Sequence, residues 1–291
     1  MTQEDARATY TGATYVSTSS TTSSKANLAL SATVQDITAA FPASDMAPGD
    51  IRNAKVTFTQ VNGTVATRIP GCFELPVSLV SAADVKTGTA ACTWAADIGA
   101  VDSVQFTIGV VVSGYYTRDS TEDYGTVTVS KPIPGMLTGG GYLINEASAG
   151  QKAGEVGRRT NFGFNAKVTK TGALQGNVNV IVRNGGRVYQ IKSNAITSLT
   201  TKTGTCSATT PCTGVFNGRA NVQDITNPLS PVSVDGGATL QVSVTDRGEP
   251  GSSDDNAITL FDKNGGLLFA SKWDGVRTVP QVLSGGNIQV R

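Results

Sequence analysis

The chain predicts an all-β protein of two tandem antiparallel β-sandwich domains, and three observations carry that prediction. Apolar residues recur at every second position in short runs separated by Gly, Pro, Asn and Asp, and no stretch shows the helical period of about 3.6. The string Ser130-Lys131-Pro132-Ile133-Pro134-Gly135 places two prolines, which fix φ and remove amide donors, near the middle of 291 residues. Four cysteines fall as two close pairs, Cys72 with Cys92 and Cys206 with Cys212, one pair on each side of that string. The domains are therefore expected over residues 1–131 and 132–291, each long enough for its own core.

In the first domain, Tyr10, Tyr15 and Val16 stand among dense Ser and Thr, and Leu28, Leu30, Ala32 and Val34 then alternate with polar partners, which reads as a strand pair opening a sheet. Residues 42–50 form a loop, since Pro and Gly interrupt any regular element. Val56 and Phe58 resume the period. Asn62-Gly63 then marks a hairpin turn, because both residues tolerate positive φ. Pro70 and Pro76 keep parts of the segment around Cys72 at a sheet edge, and a Cys72–Cys92 disulfide would tie that hairpin. Val104, Phe106, Ile108, Val110 and Val112 share one face of the longest alternating run, which suits a central strand. Residues 125–129 supply a further strand.

In the second domain, Gly139-Gly140-Gly141 marks close backbone packing, because neither a helix pattern nor the Gly-Lys-Ser/Thr sequence of a phosphate cradle follows. Phe162, Phe164, Ala166 and Val168 form one alternating set and Val178, Val180 and Val182 another, before Asn184-Gly185-Gly186 turns the chain. Strands at 188–191, 194–199, 214–220, 240–244, 257–261, 266–270 and 287–290 complete a second, larger sandwich. Val34-Gln35-Asp36-Ile37-Thr38 recurs as Val222-Gln223-Asp224-Ile225-Thr226. Five residues do not establish a repeat, and the echo reads as a shared strand-to-loop turn.

Composition narrows function. Lys and Arg total 23 against 22 Asp and Glu, so no overall field draws the protein to nucleic acid or an anionic membrane. Histidine is absent, which removes the usual general base near neutral pH, the commonest zinc ligand and every Ser-His or Cys-His nucleophile. The chain is expected not to be an enzyme. Of the three possible cysteine connectivities, pairing within each half is the simplest, and disulfides imply a secreted or cell-surface protein because cytosolic thiols are kept reduced. Free thiols are the alternative; zinc is disfavoured by the absence of Cys-x-x-Cys spacing. No apolar run approaches the roughly 20 residues that span a bilayer. Met1 before Thr2-Gln3-Glu4-Asp5 reads as an initiator joined to an excised piece of a larger chain, with no signal peptide at its start.

The sharpest chemical signal lies at residues 246–256, between two alternating runs. Asp246, Glu249, Asp254, Asp255 and Asn256 supply carboxylate and amide oxygens of the kind Ca²⁺ takes, although the spacing is not that of an EF-hand. A solvated hairpin loop that resists aggregation would use the same charges. Asp119, Glu122 and Asp123 form a second acidic turn near the domain junction and a second candidate cation site. Trp273, Tyr115 and Tyr116, with Trp94 and Tyr189, would bind a glycan by stacking on sugar rings if they stood exposed in a row. The adjacent Asp254 and Asp255 do not place two groups across a scissile bond as glycoside hydrolysis requires.

The strings Arg7-Ala8-Thr9-Tyr10-Thr11-Gly12, Gly49-Asp50-Ile51-Arg52-Asn53-Ala54, Asn161-Phe162-Gly163-Phe164-Asn165-Ala166-Lys167, Val244-Thr245-Asp246-Arg247-Gly248-Glu249-Pro250-Gly251 and Gly285-Gly286-Asn287-Ile288-Gln289-Val290 resemble Ig-like and C-terminal β modules of large secreted multidomain bacterial surface proteins. The resemblance implies an Ig-like first domain and neighbouring domains in a longer chain, with no catalytic residues to carry over. The expected function is a non-catalytic structural or adhesive module rigidified by calcium, with a surface glycan or protein as partner; the alternative is a carbohydrate-binding module.

Overall fold

The computed structural model describes residues 3–37, 49–118 and 124–291. The first half contributes β1 (Glu4–Tyr10), β2 (Tyr15–Ser17), β3 (Lys25–Asp36), β4 (Ala54–Asn62), β5 (Val65–Arg68), β6 (Leu75–Pro76), β7 (Ser78–Ser81), β8 (Asp84–Asp97), β9 (Ser103–Gly114), β10 (Tyr116–Thr117) and β11 (Gly125–Ser130). They form two sheets, ordered β10-β1-β3-β8-β7 and β2-β11-β9-β4-β5, with β6 also on β4. Leu28, Leu30, Phe58, Ile108, Val110 and Val127 are buried in one core, and fully burying such a side chain is worth about 1.5–3 kcal/mol. As the alternation predicts, β9 is central, flanked by β11 and β4. The pairing is not antiparallel throughout. The chain bends between β1 and β2 and enters the other sheet, so β1 runs parallel to β10 and β2 parallel to β11.

The Cys72–Cys92 disulfide has a different role from the hairpin tie expected. Cys72 lies in the loop whose carbonyl receives the Phe58 N–H of β4, whereas Cys92 lies on β8, so the bond links one sheet to the other.

The second half contributes β12 (Met136–Ile144), β13 (Arg159–Val168), β14 (Leu174–Asn184), β15 (Arg187–Lys202), β16 (Cys212–Asp224), β17 (Val232–Asp246), β18 (Asp255–Phe261), β19 (Leu267–Ala270), β20 (Gln281–Val282) and β21 (Gly285–Val290). All pair in one ten-stranded sheet, β19-β18-β17-β16-β15-β14-β13-β12-β21 with β20 on β18. The larger second sandwich of the sequence reading takes the form of a single sheet wrapped over one core. β15 replaces the two short strands expected at 188–191 and 194–199. Register shifts at Ser193/Ala195 and Ile196/Ser198 bend it instead of breaking it. The wrap closes through the last residues: β20 pairs with β18 near one end of the sheet, and β21, starting three residues after Val282, pairs with β12 at the other. The glycine triplet sits at this closure. A Cβ at Gly141 would collide with the Gly285 carbonyl oxygen, so the expected close backbone packing is present.

Every named ladder of the first two sheets lies before residue 131, and every one of the third lies after residue 135. The halves meet along a bonded seam. The Ser17 N–H donates to Ser198 Oγ at 2.8 Å, and the Leu199 N–H donates to Ser17 Oγ at 3.0 Å, both buried. The Leu267 N–H donates to Thr89 Oγ1 at 3.1 Å. Val80 of the first half packs with Phe261, Leu267 and Ala270 of the second, flanked by Ala91, Ala149 and Trp273.

Candidate functional site

The acidic stretch at 246–256 lies where the wrapped sheet closes. In an antiparallel pair the amides along a strand point alternately towards and away from the partner, and the Ile288 and Val290 N–H groups of β21 point away from β12. Carboxylates meet them. Asp254 Oδ2 accepts from Ile288 at 2.9 Å and Asp246 Oδ2 accepts from Val290 at 3.0 Å. The other oxygen of each also takes a backbone donor, Arg247 for Asp254 and Gly248 for Asp246, both at 2.8 Å. Glu249 Oε1 accepts from the side-chain amides of Gln289 and Asn287. Asp255 pairs with Arg247 at 3.0 Å. The loop thus caps a strand edge that would otherwise present bare donors.

Its electrostatics follow from these partners. Asp254 is fully buried, and its carboxyl is pushed above the ordinary aspartate range chiefly by loss of hydration, with Asp246 and Glu249 adding to the shift against the two backbone donors. Glu249 is held below its ordinary value by the Gln289 and Asn287 amides. Ca²⁺ takes six to eight oxygens that converge on one point. Here each oxygen of Asp246 and of Asp254 already accepts one protein N–H. Among the described residues no group of three or more acidic, cysteine or histidine side chains is arranged to hold a metal ion. Asn256 is fully buried, opposite Gln281 in the ladder, and neither amide atom has a partner among the described residues. The second acidic turn, Asp119, Glu122 and Asp123, lies outside the described residues.

The Cys206–Cys212 disulfide joins the approach to β16 with its first residue, which faces Asp246 across the ladder. Two local disulfides are compatible with an extracellular setting. No helix among the described residues is long and apolar enough to cross a membrane.

The aromatic residues do not form a row. Tyr116 is fully buried and donates to Asp36 at 3.2 Å, so it offers no face to a ligand. Tyr115 packs edge-on against it and donates to Glu4. Trp94 packs edge-on against Phe106. Trp273 stands apart, at the seam, where it lines a cleft of about 250 Å³ between the β1–β2 loop and the outer face of β16–β18. That face carries Asn217, Gln241 and Thr259 side by side in ladder register. Asn217 is 2% exposed, and both its amide atoms lack a partner among the described residues, as do Gln241 Nε2 and Thr278 Oγ1 in the same cleft.

Sequence reasoning passed over Asn217, Gln241 and Thr278. They occupy ordinary outward positions of alternating strands and loops, and only the covering by the first half distinguishes them. The chain matches no protein-family model, no curated protein and no solved structure.

Proposed function

We propose that the chain is a non-catalytic structural or adhesive module of a secreted protein, with two β domains, the first Ig-like, held as one stiff unit. The observation that carries this reading is the seam, where Ser17 and Ser198 exchange buried hydrogen bonds and Val80 packs with Phe261 and Leu267. Interfaces between domains of one chain permit relative motion unless they are large and apolar. This one adds buried polar bonds to an apolar patch. Each is expensive to break without replacement, because an orphaned buried group costs about 1–3 kcal/mol. The split first strand, with β2 parallel to β11, and the disulfide between the two sheets support the Ig-like reading. In this reading the stiffness comes from protein groups and does not require calcium.

Scanning calorimetry tests it. The intact chain is expected to unfold in a single transition, and Ser17→Val combined with Leu267→Ala is expected to split that transition into two. Two separate transitions in the unaltered chain, or turnover on a broad panel of glycosides and peptides, would overturn the reading.

A further inference from the structure

We propose that the seam cleft binds a single neutral sugar ring. Asn217 has two amide donors and a carbonyl acceptor, is almost wholly withdrawn from solvent, and has no protein partner for either amide atom among the described residues. Beside it Gln241 Nε2 and Thr278 Oγ1 are also buried and unpaired. Leaving a buried polar group unsatisfied costs about 1–3 kcal/mol, and three neighbouring residues with this cost share one cleft. On the same outer surface of the sheet some amides are matched, since Gln190 donates to Asn179 and Asn194 donates to Asn221; Asn256, at the sheet closure, is the other residue of this sheet with both amide atoms unpaired among the described residues.

The chemistry of the set selects the ligand. Amides and a hydroxyl offer donors and acceptors together and no charge, which matches sugar hydroxyls, since each of those both donates and accepts. Trp273 borders the same cleft and supplies the apolar surface against which the C–H face of a sugar ring packs. Arg277, the cation among the lining residues, is an exposed residue. A volume of about 250 Å³ falls just below the roughly 300–1,000 Å³ of sites for drug-sized molecules, which suits one ring and excludes a buried oligosaccharide.

The walls are also held in place before any ligand arrives. The floor is the β16–β18 ladder. The Trp273–Thr278 turn is set by Asp274 Oδ1, which accepts from the Val276 and Arg277 N–H groups at 2.8 and 2.7 Å. The first half holds that turn from outside, because Thr33 Oγ1 and Gln35 Nε2 donate to the Val276 and Gly275 carbonyls. The cleft therefore exists only when the two halves are docked, yet a ligand-free spacer would keep the same seam. This proposal can fail without the structural reading failing.

The test is saturation-transfer NMR on the intact chain with glucose, galactose, mannose, xylose and N-acetylglucosamine, followed by titration of the best binder. At least one sugar is expected to bind. Asn217→Leu and, separately, Thr278→Val are each expected to weaken it by tenfold or more. Asn217→Leu should leave the melting temperature unchanged or higher, because an apolar isostere removes an unpaired amide. No binding to any of the five sugars would overturn the proposal. So would binding that survives both substitutions, or loss of Asn217 binding accompanied by loss of fold while Thr278→Val binds normally.

Discussion

The acidic loop at 246–256 and the seam cleft differ in composition, and Asp246 and Asp254 of the loop differ from Asn217 of the cleft in bonding. The loop holds four carboxylates in eleven residues; Asp246 and Asp254 have all four oxygens engaged by backbone donors, while Asp255 Oδ1 and the Asn256 amide have no partner among the described residues. The cleft floor holds neutral amides spaced along strands, and the buried amide of Asn217 is unengaged. Charge density marks the place where the fold needed acceptors to finish a strand edge. In the cleft, unsatisfied polarity borders open volume, which sets Asn217 apart from the unpaired Asn256 of the closure. A buried carboxylate is costly unless hydrogen-bonded, so a loop rich in them is as naturally a structural device as a binding site.

The sharpest way to break that comparison is to remove the loop's acceptors. Asp254→Ala orphans the Arg247 and Ile288 N–H groups, and at about 1–3 kcal/mol for each buried donor the expected loss is about 2–6 kcal/mol in urea unfolding. Asp254→Asn keeps one acceptor and should lose about half as much. A loss of less than 1 kcal/mol for the alanine variant would show that the loop is not part of the closure. The contrast with Asn217→Leu, expected to be neutral or stabilising, is one of sign as well as size.

A smaller effect comes from Asp224, another carboxylate used structurally. Its carboxyl is held down to about 2, first by hydrogen bonds from the Thr226 hydroxyl and N–H and then by Arg187. A depressed acid stabilises the fold above its unfolded value near 3.9, and that contribution is lost as pH falls towards 2. The melting temperature of Asp224→Asn should therefore fall less steeply than that of the parent between about pH 4 and pH 2. Equal slopes would remove the role assigned to these bonds.

Asp224 is also the middle residue of the five-residue echo, and the structure gives the echo a physical meaning. In both copies the Asp closes a long strand, opposite Ala6 or Tyr189, and the next Ile N–H donates to the carbonyl one residue before that partner, Asp5 or Val188. A shared way of ending a strand accounts for the recurrence, as the sequence suggested.

Local features of this kind were legible. The central placement of β9 followed from five alternating apolar residues. The hairpin at Asn62-Gly63 is present, although the turn itself is Gly63-Thr64, with Asn62 paired to Val65 and positive φ at Gly63 alone. The Gly185-Gly186 turn carries positive φ at both residues, as its sequence requires. What sequence could not show was set by distant partners. Alternation assigns Ile288 and Val290 to an inner face but says nothing of where their amides point, and pairing β21 with β12 joins residues far apart in the chain. The same parity places Asn217 and Gln241 on the outer face. Whether an outer face meets water or another domain is decided by docking. Residues 15–17 illustrate this, since Tyr15-Val16-Ser17, set within a Ser/Thr-rich stretch, supplies both a sheet edge and the Ser17 contact that covers β15.

Amide hydrogen exchange at Ile288 and Val290, measured in excess chelator, tests most directly whether protein groups alone close the second half. Both amides are expected to be strongly protected without calcium and unchanged on adding it, with Ile288 losing protection in Asp254→Ala and Val290 in Asp246→Ala. Rapid exchange in chelator with protection appearing only when calcium is added would contradict the account and restore the loop as a cation site.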